Sequence, residues 1–393
     1  MKIKKLIALG LCAAMVSGMT VAPVFAAEEA TEDAAETEDA AAEEEATTED
    51  AADPAAQFEG LKANEAYEFP MMVKSFQSTY WQAAVEGMQK AADELGVTFT
   101  AQGPNSESDI ADQVNMINTA IAAKPVGMGL AACDTSSVTD ALKKCAADGI
   151  PVVTFDTGVA DAPEGSVVAE VVTDNAQAGA VAAENMYAAI KDVIANAEGQ
   201  VIIGEVNQDA TSGNITGRGM GFINKFKELA EADGKKVAVV GNEYYVNLVE
   251  NNAKEADADI IIEVAVPAQT TVELSATEAS NIMNKKDTIA MFGSNQVTAE
   301  GLLTANQNLD VLGAGDGKIL GVGFDAGSTQ KAAVKDGTLL GSVTQAPVDQ
   351  GRIAIETLND ICEGKEVKDV ETACYWYDAE TMEDAEIAPN LYD

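Results

Sequence analysis

Two runs of this chain end alike. Ile150-Pro151-Val152-Val153-Thr154-Phe155-Asp156-Thr157-Gly158 and Ile319-Leu320-Gly321-Val322-Gly323-Phe324-Asp325-Ala326-Gly327 each close an apolar stretch with Phe-Asp-small-Gly. A carboxylate held at such a point can accept hydrogen bonds from adjacent hydroxyls, or form half of an acid–base pair with its twin. Other polar residues follow apolar runs in the same manner: Gln77 and Ser78, Asp134, Asn207 to Asp209, Asn295 and Gln345. Arg218 stands out because the chain has 24 basic residues and only two are Arg; its guanidinium is a fixed fork of donors for a hydroxyl-rich or anionic group. Tyr80 and Trp81 offer flat apolar faces suited to the C–H side of a polyhydroxylated ring. Lys74 interrupts an apolar run, and if it points inward it favours a carboxylate or phosphate. Each has a plainer reading. Asp134 and Asp174 suit helix caps, Asn295 suits a turn, one of Tyr80 and Trp81 suits the core, and Arg218 or Lys74 suits a solvent edge.

What must position these residues is an alternation of strands and helices. Strands read over Met71–Phe76, Val97–Ala101, Val126–Ala131, Ile150–Phe155 and Val167–Val172, with helices between them. The first helix starts at Ser78 or Thr79 and presents Trp81, Ala84, Val85, Met88, Ala92 and Leu95 on one face. The pattern restarts with a helix from Asp174 to Ala195, strands at Val201–Val206 and Val237–Val240, then Ile289–Phe292, Ile319–Phe324 and Gly341–Thr344. A last helix covers Val348–Ile361. Short β-branched runs bounded by Gly or Pro are buried on both faces, which belongs to parallel sheets covered by helices. Two such sets predict an α/β fold of two doubly wound parallel-sheet lobes. Ligands of such sheets bind beyond the carboxyl ends of the strands, so the twin aspartates face one cleft. The segment after Gln345 returns to the first lobe, whose sheet is otherwise one helix short.

Residues 1–26 read as an export signal: Lys2, Lys4 and Lys5, an apolar stretch, then Val24-Phe25-Ala26 for cleavage. Leu11 before Cys12 does not match a lipid-attachment site, so no anchor is expected there. Residues 27–66 form an acidic linker, of which Ala27 to Ala56 contain only Ala, Glu, Thr, Asp and one Pro. The formal charge of -41 argues against nucleic acid as a partner. With no His at all, triads of the usual kind and His metal sites are excluded. No Gly-x-x-x-x-Gly-Lys-Ser/Thr loop is present, and no cofactor or metal is expected. Cys133, Cys145, Cys362 and Cys374 allow disulfides, local pairs being the simplest, or buried free thiols.

Several stretches, in order, make the resemblance specific: Ser75–Leu95, Ile150–Gly158, Val172–Gly179, Arg218–Phe222, Phe292–Gln296, Val322–Asp325 and Val343–Pro347. Over 67–393 the chain resembles the periplasmic sugar-binding proteins of ABC importers, of the ribose-binding type. The resemblance implies that Asp156, Arg218, Asn295, Asp325 and Gln345 hold ligand and that Tyr80 and Trp81 stack on it. Ser78 and Lys74 join this set from their positions alone. It also implies three chain crossings, near Thr173, Gln345 and Cys374. The first lobe is then 67–172 with 346–373, and the second 173–345 with 374–393. The chain departs from ribose-type members at Thr157, where they carry Arg, at Ala131, where they carry Asn, and near Thr270, where they carry an aromatic. An insertion around Leu309–Lys318 lies before the Asp325 strand.

The expected function is a non-enzymatic, exported and monomeric receptor. It captures a monosaccharide or related molecule between closing lobes and delivers it to an ABC permease in the membrane. A sensor presenting ligand to a chemoreceptor or kinase would use the same site. A glycoside hydrolase would use Asp156 and Asp325, but Asn295, Gln345 and Arg218 around them are expected to keep both acids ionised, leaving no general acid. Neither the identity of the sugar nor its charge is legible.

Overall fold

The computed structural model describes residues 63–64 and 66–393. The export signal, Cys12 and all but the end of the acidic linker lie outside the described residues. Ala63 and Asn64 are already tied down: Ala63 N–H donates to Leu95 O at 2.9 Å and Asn64 N–H to Glu363 Oε1 at 2.5 Å.

The first lobe alternates strand and helix: β1 (Glu68–Met72), α1 (Thr79–Leu95), β2 (Thr98–Gln102), α2 (Ile110–Ala122), β3 (Met128–Leu130), α3 (Thr139–Asp148), β4 (Val152–Asp156) and β5 (Val167–Thr173). The chain then crosses into α4 (Asn175–Asn196), β6 (Val201–Val206), α5 (Gly213–Ala232), β7 (Val237–Gly241), α6 (Glu243–Leu248), β8 (Ile260–Ala265), α7 (Val272–Met283), β9 (Thr288–Gly293), α8 (Gln296–Leu309), β10 (Leu320–Phe324), α9 (Ser328–Lys335) and β11 (Gly341–Thr344). It returns through α10 (Pro347–Cys362) and β12 (Val370–Thr372), then adds β13 (Tyr375–Tyr377) to the second sheet. The first sheet runs β12-β5-β4-β3-β1-β2 and the second β13-β11-β10-β9-β6-β8-β7. All pairs are parallel except β11 with β13, an antiparallel edge.

Alternation along each strand places successive side chains on opposite faces. Met71, Val153 and Phe155 pack against Met88, Leu95, Ile353 and Leu358 of α1 and α10. Met72 and Val152 pack with Ile117, Ile121 and Leu142 on the other face. In the second lobe Phe222 of α5 stacks on Phe292 of β9, ring centroids 4.4 Å apart.

Three readings needed correction. β1 ends at Met72, so Lys74 lies beyond the strand rather than inside it. β8 is absent from the strands expected above, although Ile260-Ile261-Ile262-Glu263-Val264 is an apolar run, and it pairs in register with both β6 and β7. The four described cysteines are free thiols, two buried and two partly exposed, so the local disulfides are not formed.

Candidate functional site

The carboxyl ends of both sheets meet at a narrow cavity walled by side chains of both lobes. Lys74, Ser78, Tyr80, Trp81, Asp156, Arg218, Asn295, Asp325 and Gln345, all singled out from the sequence, line it together. So do Glu107, Gln208, Asn214 and Ile215. Of these, Gln208 falls in the polar stretch after β6, whereas Glu107 and Asn214 sit where helices begin and follow no apolar run.

The twin aspartates share a backbone feature. Asp156 has φ 60° and Asp325 φ 71°, in the left-handed region that few residues other than Gly enter. Asp tolerates it better than most side chains. Each turn swings its carboxylate from the strand end into the cavity, leaving Asp156 3% and Asp325 4% exposed.

Their surroundings differ. Asp156 is crowded with donors: Tyr80 OH at 2.8 Å, Thr157 Oγ1 at 2.6 Å and Asn214 Nδ2 at 3.0 Å. Lys74 Nζ lies 3.5 Å from Asp156 Oδ2 and donates to Asn214 Oδ1 at 2.9 Å. Burial by itself would strip the Lys74 proton, but Asp156, Glu107 and Asp209 outweigh it and raise the pKa. Lys74 therefore faces the cleft as an ammonium whose charge is already answered, which weakens the reading of it as a seat for an anion. Glu107 accepts from Trp81 Nε1 at 2.9 Å and from Gln208 Nε2 at 2.8 Å. Burial pushes its pKa up, against Lys74 and these two donors.

Asp325 accepts from Gln296 N–H at 3.0 Å and Gln345 Nε2 at 2.7 Å. Burial raises its pKa, with Arg218, Gln345 and the Gln296 N–H pulling the other way. The expectation that its neighbours hold Asp325 firmly ionised is thus corrected: the desolvation of the site is the larger effect. Arg218 is 1% exposed, not a surface residue. It donates to Ser294 O and Asn175 Oδ1, both at 2.8 Å, and its guanidinium carbon lies 3.5 Å from the Phe324 ring centroid. Asn295 caps α8 through a reciprocal box with Thr298 and also donates to Gln208 Oε1. Cap and cavity-wall readings hold together here.

Two buried polar atoms of this wall have no partner: Arg218 Nε, a donor, and Gln345 Oε1, an acceptor. Buried polar atoms are rarely left unpaired unless a ligand or water completes them. Meanwhile the lobes bond to each other. Ser78 Oγ donates to Gln296 Oε1 at 2.7 Å, and Thr270 N–H donates to Ser108 Oγ at 2.7 Å. Along with Asn214 to Asp156 and Gln208 to Glu107, these bonds span the cleft.

Residues 69–366 match the model of the periplasmic binding protein domain family. The chain belongs to that family. The ribose import binding protein of Escherichia coli is 25% identical over 76% of this chain and 86% of its own. That of Bacillus subtilis is 26% identical over 76% and 82%. An ABC transporter solute-binding protein of Agrobacterium vitis, solved with bound D-fucose, is 27% identical and superimposes with a TM-score of 0.68. That match covers 83% of this chain and all of that one. The two-lobed α/β architecture of this periplasmic binding protein is therefore the type I fold.

The departures from the ribose-type pattern acquire local roles. Thr157 bonds Asp156 rather than supplying charge, and Thr270 bonds Ser108 across the cleft. The 309–318 insertion lines no part of the cavity. It is a glycine turn in which Lys318 Nζ contacts Asp310 Oδ1 at 3.2 Å.

Proposed function

We propose that this protein is an exported, non-enzymatic receptor that closes on an uncharged monosaccharide and delivers it to an ABC permease. The observation that carries the reading is the orphan pair, Arg218 Nε and Gln345 Oε1, in a cavity otherwise filled with mutual hydrogen bonds. A hydroxyl both accepts and donates, so one or two neighbouring hydroxyls answer both atoms; a bare anion answers only the Arg. The Lys74 ammonium is already answered by Asp156 and Glu107, which disfavours uronates and phosphosugars as its partners. Relatives named for ribose import, and a neighbour solved with D-fucose, support the substrate class.

The test is a thermal-shift screen against D-ribose, D-arabinose, D-fucose, D-tagatose, D-glucuronate and ribose 5-phosphate. A sugar at a hundred times its Kd adds about 2.7 kcal/mol of stability. A shift with at least one neutral sugar and none with the two anions is expected. Stabilisation by the anions alone, or turnover of any bound sugar, refutes the reading.

A further inference from the structure

Residues 388–393 are bound to the second lobe by a series of contacts. Thr344 Oγ1 donates to Asn390 O at 2.9 Å and Lys331 Nζ to Leu391 O at 3.0 Å. Lys331 Nζ also lies 2.5 Å from Asp393 Oδ1. The small residues of the second Phe-Asp-small-Gly turn then grip Tyr392: Ala326 N–H donates to its hydroxyl and Gly327 N–H to its carbonyl, both at 3.2 Å. From this mooring the Tyr392 ring reaches the other lobe. It meets Tyr80 edge to face, centroids 6.0 Å apart at 76°, and packs with the first-lobe core.

Tyr80 is a cavity-wall residue that also packs in the first-lobe core. Its hydroxyl lies 2.8 Å from Asp156 Oδ1 and 2.6 Å from Gln350 Oε1, and its ring stands edge-on to Trp81 at 5.0 Å. Edge-to-face pairs at such separations add to simple burial and fix ring orientation. We propose that residues 388–393 form a strap between the lobes and that Tyr392 is a positioning residue, holding Tyr80 and its neighbour Trp81 against the cleft in the closed form. The strap links the Asp325 turn directly to the aromatic wall opposite, bypassing the three chain crossings.

The test has a ligand-free arm and a sugar arm, and only the second rests on the proposed sugar reading. The chain has two Trp, so a Trp376→Phe background makes Trp81 the sole tryptophan reporter. In that background Tyr392→Ala is expected to red-shift and broaden Trp81 emission without sugar, because the wall loosens. Tyr392→Phe, which keeps the ring, should restore it. Lys331→Ala unties the mooring without touching Tyr80 and should shift emission in the same direction, which keeps the test alive if Tyr392→Ala folds poorly. In the sugar arm, whichever panel sugar binds the wild type should leave Tyr392→Ala about fivefold faster, with Tyr392→Phe near wild type. Unmoved Trp81 emission in both Tyr392→Ala and Lys331→Ala overturns the strap, whatever binds. A panel in which no sugar binds overturns the sugar reading and leaves the strap to be judged by emission.

Discussion

At the scale of residues, the twin aspartates look equivalent in sequence and are unequal in place. Asp156 is the counter-charge of a lysine that is 1% exposed, whereas Asp325 faces an arginine that is separately bonded to Ser294 and Asn175. Removing one partner of a buried ion pair strands the other charge, at a cost of roughly 3–5 kcal/mol. Asp156→Ala should therefore lower the melting temperature of the sugar-free protein more than Asp325→Ala does. The double variant Lys74→Met with Asp156→Ala should recover much of the loss, because no stranded ammonium remains. Calorimetric melts of the three variants decide it: equal losses at both aspartates, with no recovery in the double variant, would rule the pairing out. Both single variants should lose the sugar-dependent shift. The cavity residues were legible because polar residues that stop buried apolar runs have one place to go. That Lys74 is neutralised by Asp156 and Glu107 was not legible, since pairing of residues 82 and 33 positions apart exists only once the sheet is assembled.

At the scale of elements, both lobes use the same close crossing of helices next to the cleft. A methyl group on Gly87 of α1 would strike Val348 O of α10, and one on Gly351 of α10 would strike Ala84 O of α1. In the second lobe Gly179 of α4 meets Arg218 O of α5, and Gly221 of α5 meets Ala176 O of α4. Backbone contact this close lets Arg218 sit beside Asn175, which is why the α4 start and the arginine act as one unit. The strand–helix order was legible from period and punctuation; β12 and β13, each three residues long, carry too little pattern to be seen. Helix α10 also buries a carboxylate. Glu356 is 1% exposed and accepts from Arg352 Nε at 2.8 Å, and burial pushes its pKa from 4.5 up to about 7 against that arginine. The folded protein therefore binds a proton more strongly than the unfolded chain does. Its contribution is fully present below the unfolded value and is lost as pH rises through about 7. Measured against Glu356→Gln, whose amide does not titrate, the wild type should lose thermal stability between about pH 5 and about pH 8. A difference between the two that stays constant over that window would show the carboxylate to be untitrated there.

At the scale of the molecule, the lobes have separate apolar cores and meet through polar contacts and the Tyr392 ring. Each cross-cleft hydrogen bond is worth only about 0.5–1.5 kcal/mol net, since opening returns both partners to water. On the proposed reading, a ligand that completes Arg218 Nε and Gln345 Oε1 would shift the population toward the closed form. Among the cross-cleft residues Gln296 does the most. Its Oε1 accepts from Ser78 Oγ at 2.7 Å and from Tyr80 N–H at 3.3 Å, and its Nε2 donates to Thr79 Oγ1 at 3.0 Å, so it ties the start of α8 to the start of α1. These bonds exist only when the lobes are together. Gln296→Ala should therefore weaken sugar binding about tenfold while leaving each lobe intact, because it taxes closure rather than the folded lobes. Solution X-ray scattering supplies the check: the wild-type radius of gyration should fall when sugar is added, and the variant should need about ten times more sugar for the same fall. If the variant closes at the wild-type concentration, the bonds from Gln296 merely accompany closure, and the energy that holds the lobes together comes from the ligand, the strap and the other cross-cleft bonds.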